Sequence, residues 1–177
     1  MAAGMTTPIP TLLTPRLTLR GLQASDLDAF AALQANPEVM KTLGTGGVRS
    51  RAETWDGMAR MLGQWALRGY GMFAVVDNTT GRFMGRAGIL HPYEWEEPEL
   101  AYGFDQPFWG RGYATEAASI LHRWAFLQKE LTSLVSYVVP GNQRSCRVLE
   151  KLGAARVGTV TLFGTIEAEQ WRHRTPG

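Results

Sequence analysis

Between positions 99 and 116 the chain reads Glu-Leu-Ala-Tyr-Gly-Phe-Asp-Gln-Pro-Phe-Trp-Gly-Arg-Gly-Tyr-Ala-Thr-Glu: strand character, then a glycine-containing loop, then the start of a helical pattern. Gly110 and Gly112 let the main chain come close to a ligand. The N-terminus of the helix that follows adds unpaired N–H groups and an effective charge of about +0.5, so the ligand this segment suits is a phosphate. A Walker loop would end in Gly-Lys-Ser or Gly-Lys-Thr, and a dinucleotide fingerprint would carry a third glycine in a strand–helix–strand unit near the start of the chain. This sequence has neither. Taken alone, a Gly-x-Gly at a helix start fits a plain turn equally well.

Other side chains with chemistry are sparse. Cys146 is the single cysteine, which excludes an intrachain disulfide and any cysteine-built zinc or iron–sulfur site and points to a reducing, cytoplasmic setting. It sits about 100° around a helix from Ser145, which argues against an acyl-cysteine and for a buried apolar thiol. His91, His122 and His173 lack close metal-ligand spacing, so no metal is assigned and each reads as a surface or locally bonded histidine. Trp55, Trp65 and Trp124 fall on apolar helix faces and read as core, whereas Trp95 stands in an acidic loop, His91-Pro-Tyr-Glu-Trp-Glu-Glu-Pro98.

The elements that must position these groups follow from periodicity. Arg16–Leu22 alternates as a half-buried strand. Ser25 can cap a short helix with Leu27, Phe30 and Ala31 on one face, stopped at Asn36-Pro37. After the joint Gly44-Thr-Gly-Gly47, a capping box at Ser50 and Glu53 opens a longer helix with Trp55, Met58, Leu62 and Trp65 as its face, closed by Gly69 to Gly71. Met72–Asp77, Phe83–Leu90 and Leu100–Phe104 read as an antiparallel meander. A helix from Gly110 onward carries Ala117, Ile120, Leu121 and Trp124 on one face. It is followed by strand Ser133–Val139, a helix capped by Asn142, and a hairpin turning at Phe163-Gly164. The order is β-α-α-β-β-β-α-β-α-β-β. It describes an α/β (α+β) domain with a mixed, mostly antiparallel twisted sheet of about seven strands and about four helices, with one strand–helix–strand crossover making a parallel pair.

The chain has 177 residues, 45% of them apolar and 19% charged, with a formal net charge of +2. That length and composition fit one globular domain rather than two, exclude disorder as the default, and give no basic stripe for nucleic acid. No run approaches the roughly 18 apolar residues of a membrane span. Residues 1–13 read as a flexible tail and 14–177 as the domain.

Two segments together change the odds for the glycine loop. Trp109-Gly-Arg-Gly-Tyr-Ala-Thr-Glu-Ala117 and, one strand later, Asn142-Gln-Arg-Ser-Cys-Arg-Val-Leu-Glu-Lys-Leu-Gly-Ala154 resemble the GNAT superfamily of acyl-CoA-dependent N-acetyltransferases. The branch most similar is that of the ribosomal-protein N-terminal acetyltransferases RimJ and RimL. The resemblance runs from Thr14-Pro-Arg-Leu-Thr-Leu-Arg20 to Trp171-Arg172, and the element order above is the family's. Where the superfamily's pyrophosphate signature usually begins with Gln or Arg this chain has Trp109, which removes a side-chain contact while Gly112 and Ala114 keep the small-residue positions.

The resemblance implies acetyl-CoA in a cleft where strand Leu100–Phe104 splays from strand Ser133–Val139. The main chain of Tyr102, Gly103 and Phe104 would face pantetheine, and the amides of Gly110, Arg111, Gly112, Tyr113, Ala114 and Thr115 would face pyrophosphate. Asn142 and Ser145 would touch the cofactor arm, while Arg147 and Lys151 fit solvated helix-face charges at least as well as contacts to a ribose phosphate. A glycine inside a strand, as at Gly103, marks a bulge or a close backbone approach.

Acetyl transfer to an amine needs a neutral amine and a proton for the departing thiolate. An α-amine is about 15% neutral at pH 7 and a lysine amine only about 0.04%, so an N-terminal acceptor asks for no more than a modest base or an ordered water. Glu99 stands where some relatives carry a general-base glutamate, against the plain alternative of a carboxylate solvating a strand edge. Ser145 matches the serine proposed in RimL-like relatives to protonate the thiolate, against simple hydrogen bonding at a helix end, and Tyr137 is a lesser candidate for that acid. Trp95, Glu96 and Glu97 are expected on the acceptor side, with the pocket built from Gly44–Arg51, the His91–Pro98 loop and the last hairpin. The acceptor is a protein N-terminus or a small-molecule amine; a non-catalytic acyl-CoA-binding protein is the reading from another class. The resemblance admits a homodimer, for which no segment supplies an interface.

Overall fold

Leu17 and Leu19, the apolar half of the first alternating segment, are fully shielded from solvent in the computed structural model, which describes residues 8–44 and 46–176. They lie in β2 (Leu17–Arg20), which pairs with β3 (Met72–Asp77). A still earlier pair, β1 (Leu12–Leu13), adds to the edge of β2 and makes the sheet eight-stranded where about seven strands were expected. Residues 12 and 13 fall within the stretch read as tail; residues 1–7 lie outside the described residues.

From β3 the chain runs antiparallel into β4 (Phe83–Leu90) and β5 (Glu99–Phe104), in agreement with the meander pattern. The helix α4 (Tyr113–Leu127) then crosses over to β6 (Val135–Val138), which lies parallel to β5. After α5 (Gln143–Lys151), β7 (Ala155–Leu162) and β8 (Ile166–Arg172) close the sheet in the order β1-β2-β3-β4-β5-β6-β8-β7.

The β5–β6 pair is in register only at Glu99 and Val135; beyond that point the strands diverge. Ser136 holds the apex of the divergence. Its hydroxyl donates to the Leu100 carbonyl at 2.6 Å and meets His173 Nε2 at 2.9 Å. His173 is buried beside His122, and burial, with that neighbour, pushes its pKa down to about 4, so it stays neutral.

Helices cover both faces. Phe73, Val75, Ala87 and Ile89 pack with Leu121, Trp124 and Ala125 of α4 in one cluster. The neighbouring Ala74 packs in a second cluster with Phe30, Leu33, Val39 and Met58. Adjacent strand residues point to opposite faces, so α1 (Leu27–Ala35), α2 (Pro37–Met40) and Met58 of α3 (Arg51–Arg68) cover the side away from α4, while Trp65 near the end of α3 reaches the α4 cluster and packs against Phe73 and Trp124.

Three local readings are corrected. Ser25 does not cap α1, because it lies inside a short 3₁₀ turn; Asp26 instead accepts from the Gln23 amide at 2.8 Å and pairs with Arg20 at 2.7 Å. Asn36-Pro37 ends one helix and begins another. Asn36 caps α2 and Pro37 takes its first turn, where a missing N–H costs nothing, giving five α-helices rather than about four. In α3 the capping box forms, but the buried stripe is Thr54, Met58 and Trp65. Trp55 is 49% exposed, because α3 meets α1 and β3 along one narrow seam that leaves the Trp55 and Leu62 side uncovered.

Candidate active site

The glycine loop becomes a helix start of the kind its sequence suggested. Gly110 has φ 74° and Gly112, the N-cap of α4, has φ 80°, conformations that side chains with a Cβ rarely adopt. No side chain caps α4, so the amides of Tyr113, Ala114 and Thr115 have no partner within the helix. Asp105 starts the preceding 3₁₀ turn by accepting from the Gln106 amide at 2.8 Å, and the Trp109 indole donates to the Phe104 carbonyl at 2.8 Å.

A second brace comes from far away in sequence. Glu116, in the first turn of α4, accepts from the Thr14 hydroxyl at 2.6 Å and pairs with Arg16 at 2.7 Å. Arg16 also donates to the Arg111 carbonyl at 3.0 Å and lies over the Tyr113 ring at 4.3 Å. Partial burial opposes ionisation of Glu116, but these bonds outweigh it and hold its carboxyl below the usual range. Thr14, Arg16 and Glu116 belong to the sequence motifs, but the motifs give them no role. Their contact spans about a hundred residues, and only the folded chain shows it.

The loop opens onto a cleft of about 400 Å³ that follows the divergence of β5 and β6. Arg144, Arg147 and Lys151 of α5 line the cleft together with Gly110 and Gly112, with the Arg144 guanidinium stacked on Trp109 at 3.8 Å. Trp109 thus offers a platform for a cation borrowed from α5 where the usual signature has a polar side chain of its own. Unpaired amides and clustered cations fit a pyrophosphate-bearing cofactor. Arg111 contributes its backbone here, and its side chain is exposed and outside the cleft lining.

Along the middle of the cleft, alternate residues of β5 face different partners. Tyr102 turns its hydroxyl to Ser145, 2.9 Å from Oγ, and the Ser145 amide donates to Asn142 Oδ1 at 3.3 Å in the N-cap of α5. Burial, chiefly, pushes the Tyr102 phenol well above its ordinary pKa, so it remains a proton-bearing hydroxyl. This hydroxyl is a functional group that the sequence does not signal, since Tyr102 enters the motif only for its main chain. Gly103 is a close approach, as its position suggested: a Cβ there would meet the Leu43 side chain at 2.7 Å.

Glu99 is 9% exposed and accepts from the Tyr137 amide at 3.4 Å. Burial pushes its carboxyl up to about 7, opposed by that amide bond and by the positive charge of Arg86. Tyr137 lines the cleft with its ring edge-on to Trp95 at 5.1 Å, and burial, then Glu99 and Glu97, raises its hydroxyl pKa. Trp95 lines the cleft as well, but Glu96 and Glu97 do not. Glu97 is engaged by Arg172 at 2.6 and 2.9 Å, and Glu96 is exposed.

Cys146 is half-buried rather than buried; it packs against Val138, Leu149 and Trp171 as an apolar thiol would, with its sulfur 3.9 Å from a Glu169 carboxylate oxygen. Burial chiefly, with the Glu169 and Glu150 charges, raises the thiol pKa and keeps it a poor nucleophile. His91 bonds locally to the Tyr70 hydroxyl at 2.6 Å and the Trp95 carbonyl at 3.0 Å. Among the described residues no helix is long and apolar enough to cross a membrane.

A sheet opened at one parallel pair, with a glycine-started helix lacking a side-chain cap beside the opening, is the architecture of an acyl-CoA-dependent acyltransferase of the GNAT type. Residues 16–155 match the model of the acetyltransferase (GNAT) domain, and the chain belongs to that family, whose acetyl donor is acetyl-CoA. An acetyltransferase from Agrobacterium tumefaciens superposes with a TM-score of 0.84 at 33% identity, covering 98% of this chain and 99% of that one. An uncharacterized N-acetyltransferase of Bacillus licheniformis, p20, is 28% identical over 150 residues, 84% of each chain. RimL, a ribosomal L7/L12 alpha-N-protein acetyltransferase solved with coenzyme A, shares the fold with a TM-score of 0.77 at 19% identity, over 94% of this chain and 98% of its own.

Proposed function

We propose that the protein acetylates a primary amine by direct attack within one ternary complex, the acceptor being the α-amine of a protein N-terminus. The observation that carries this reading is the pairing of two proton-handling groups along β5. Glu99 stands at the apex of the divergence with a carboxyl that titrates near 7, and the Tyr102 and Ser145 hydroxyls share a hydrogen bond on the alternate face.

When bound, acetyl-CoA supplies an activated acyl group. The amides of Gly110–Thr115 and the cations of α5 hold its phosphates, and Tyr102, Gly103 and Phe104 offer main-chain bonds along its arm. Glu99 takes the proton from the incoming ammonium or amine. Ser145, hydrogen-bonded to Tyr102 and fixed by Asn142, donates a proton to the departing sulfur, with Tyr137 as the other hydroxyl in reach of the cleft. Direct transfer needs no protein nucleophile, in keeping with the high pKa of Cys146.

A base titrating near 7 suits an α-amine, which is about 15% neutral at pH 7, better than a lysine amine. RimL, whose name gives an alpha-N-protein acceptor, has this fold. The second reading, a small-molecule amine, is favoured by the aromatic group in the cleft lining where Trp95 packs on Tyr137 and Phe163. A single cysteine, with no intrachain disulfide to form, suits a cytoplasmic setting for either reaction.

Incubation with acetyl-CoA and matched panels of peptides and small amines, read by intact mass, separates the two. A gain of one acetyl group on peptide N-termini alone supports the first reading, and acetylation confined to small amines replaces it with the second. Binding of acetyl-CoA with no transfer to any amine refutes both and leaves an acyl-CoA-binding protein.

A further inference from the structure

Among the described residues Arg86 is a cation in the cleft lining with no ion-pair partner. It stands on β4 directly opposite Gly103 of β5, on the face that also carries Ala101 and Glu99. Arg86 lines the cleft together with Leu43 and Glu99, and the Leu43 side chain occupies the space over Gly103. The residue is half-buried, its Nε is shielded from solvent, and among the described residues Nε has no hydrogen-bond partner. None of the ion pairs among the described residues includes Arg86. The charges acting on it are Glu99, of opposite sign but beyond ion-pair distance, and Arg49, of the same sign.

A guanidinium nitrogen shielded from solvent without a hydrogen-bond partner is costly, and an anion against the guanidinium offsets that cost. Glu99 supplies that anion poorly, because its own burial keeps it partly protonated near neutral pH. The planar fork of an arginine matches a carboxylate in geometry and charge. A molecule that presents its amine to Glu99 and a carboxylate to Arg86 would fill the gap between them and pair both.

We infer that Arg86 binds a carboxylate of the acceptor, so that the amine acetylated carries a carboxylate within one residue of the reacting nitrogen. This rests on the proposed transfer to an amine and narrows its acceptor. Two sources share that chemistry: the α-carboxylate of a free amino acid, and the side-chain carboxylate of a peptide that begins with an acidic residue. Polyamines and other purely cationic amines are disfavoured, because Arg86 and Arg49 repel them.

The test uses the full chain, acetyl-CoA and pairs of acceptors that differ only in the carboxylate: an amino acid against its carboxamide, and peptides beginning with Asp against Asn. Rates are referred to the neutral fraction of each amine. The expected result is a kcat/KM about tenfold or more higher for the carboxylate member of at least one pair, carried mainly by KM, as for a hydrogen bond to a charged group. The pair that shows it identifies the source.

Arg86→Gln should bring that ratio to about one, the loss falling on the carboxylate member, and Arg86→Lys should restore part of it. Equal use of both members by the parent protein, or an unchanged ratio in Arg86→Gln, overturns the inference and leaves amine acetylation standing. If no amine is acetylated at all, the enzymatic reading fails. Calorimetric titration of the same pairs into the CoA-loaded protein then decides Arg86 by itself: tighter binding of the carboxylate member supports the inference, and equal binding or none overturns it. Should Arg86→Gln fail to fold, the ratios of the parent protein and of Arg86→Lys decide between the same two outcomes.

Discussion

Replacing Glu99 by Gln should make the protein a poorer catalyst and, at alkaline pH, a more stable one. Glu99 is 9% exposed, and its carboxyl is raised from 4.5 to about 7 chiefly by burial. Below about pH 4.5 the group is protonated in the folded and unfolded chains alike and adds no pH dependence. Between about 4.5 and 7 the unfolded chain ionises while the folded chain keeps its proton, so stability falls as pH rises. Above 7 the penalty is complete, and 2.5 pKa units correspond to roughly 3 kcal/mol. Gln resembles the protonated form and carries no such penalty.

Thermal melts of both proteins should therefore nearly coincide at pH 4.5 and separate at pH 8. The variant should be higher there by on the order of 6–12 °C, from about 2–4 °C per kcal/mol for a domain of this size. Transfer should fall in the variant by about 10²–10⁴-fold, the usual contribution of a positioned base. In the parent protein, kcat/KM corrected for the neutral fraction of the amine should rise about tenfold from pH 6 to pH 8, as a group titrating near 7 goes from about 9% to about 91% ionised. The variant should be flat over that range. A melting difference that is the same at both pH values would show that burial of Glu99 carries no ionisation penalty. Activity within twofold of the parent would show that it is not the base.

The Tyr102–Ser145 hydrogen bond predicts that Tyr102→Phe and Ser145→Ala each slow transfer by roughly 10²-fold with little change in acetyl-CoA affinity. The double variant should be scarcely worse than either, which single-turnover kinetics and a double-mutant cycle would show. Gly112→Trp forces a side chain onto a residue at φ 80° in the phosphate cradle and should weaken acetyl-CoA binding about a hundredfold or more by calorimetry; unchanged affinity would mean the cradle is elsewhere. Glu116→Gln loosens the tie from Thr14 and Arg16 to the start of α4 and should cost about 1–2 kcal/mol in urea unfolding at pH 7. Because the folded-state pKa of Glu116 is depressed, that difference should be present above about pH 4.5 and fade as the pH drops below it.

Much of this molecule can be read without coordinates because its signals are local. Leu17 and Leu19 alternate, Ser50 and Glu53 box a helix start, Gly69 ends that helix at φ 70°, and Phe163-Gly164 turns the last hairpin; each depends on residues a few positions apart. The phosphate cradle belongs to the same class, since Gly110, Gly112 and the first turn of α4 are contiguous. Where a local signal is ambiguous, the expectation and the fold part company. Pro37 can stop a helix or start one, and the chain uses Asn36 to do both. The apolar face of α3 is wide enough to allow two burial stripes, and only the seam against α1 and β3 selects Met58 and Trp65 over Trp55 and Leu62.

Residue order alone therefore specifies the inventory and succession of elements, the glycine loop that starts α4 and, through two motifs, the family. Every property that depends on which distant residues meet is set only in the folded chain. Glu99 becomes a group titrating near 7 because β6, about thirty-five residues on, buries it. The Tyr102 hydroxyl gains a partner because α5 brings Ser145 to 2.9 Å. Glu97, an acidic side chain like its neighbours in sequence, is taken out of the site by Arg172. Arg86, which no motif marks, joins Glu99 in the cleft lining through the pairing of β4 with β5. A pKa or a free valence is set by desolvation and by partners across the fold, and neither is encoded in any short window of the chain.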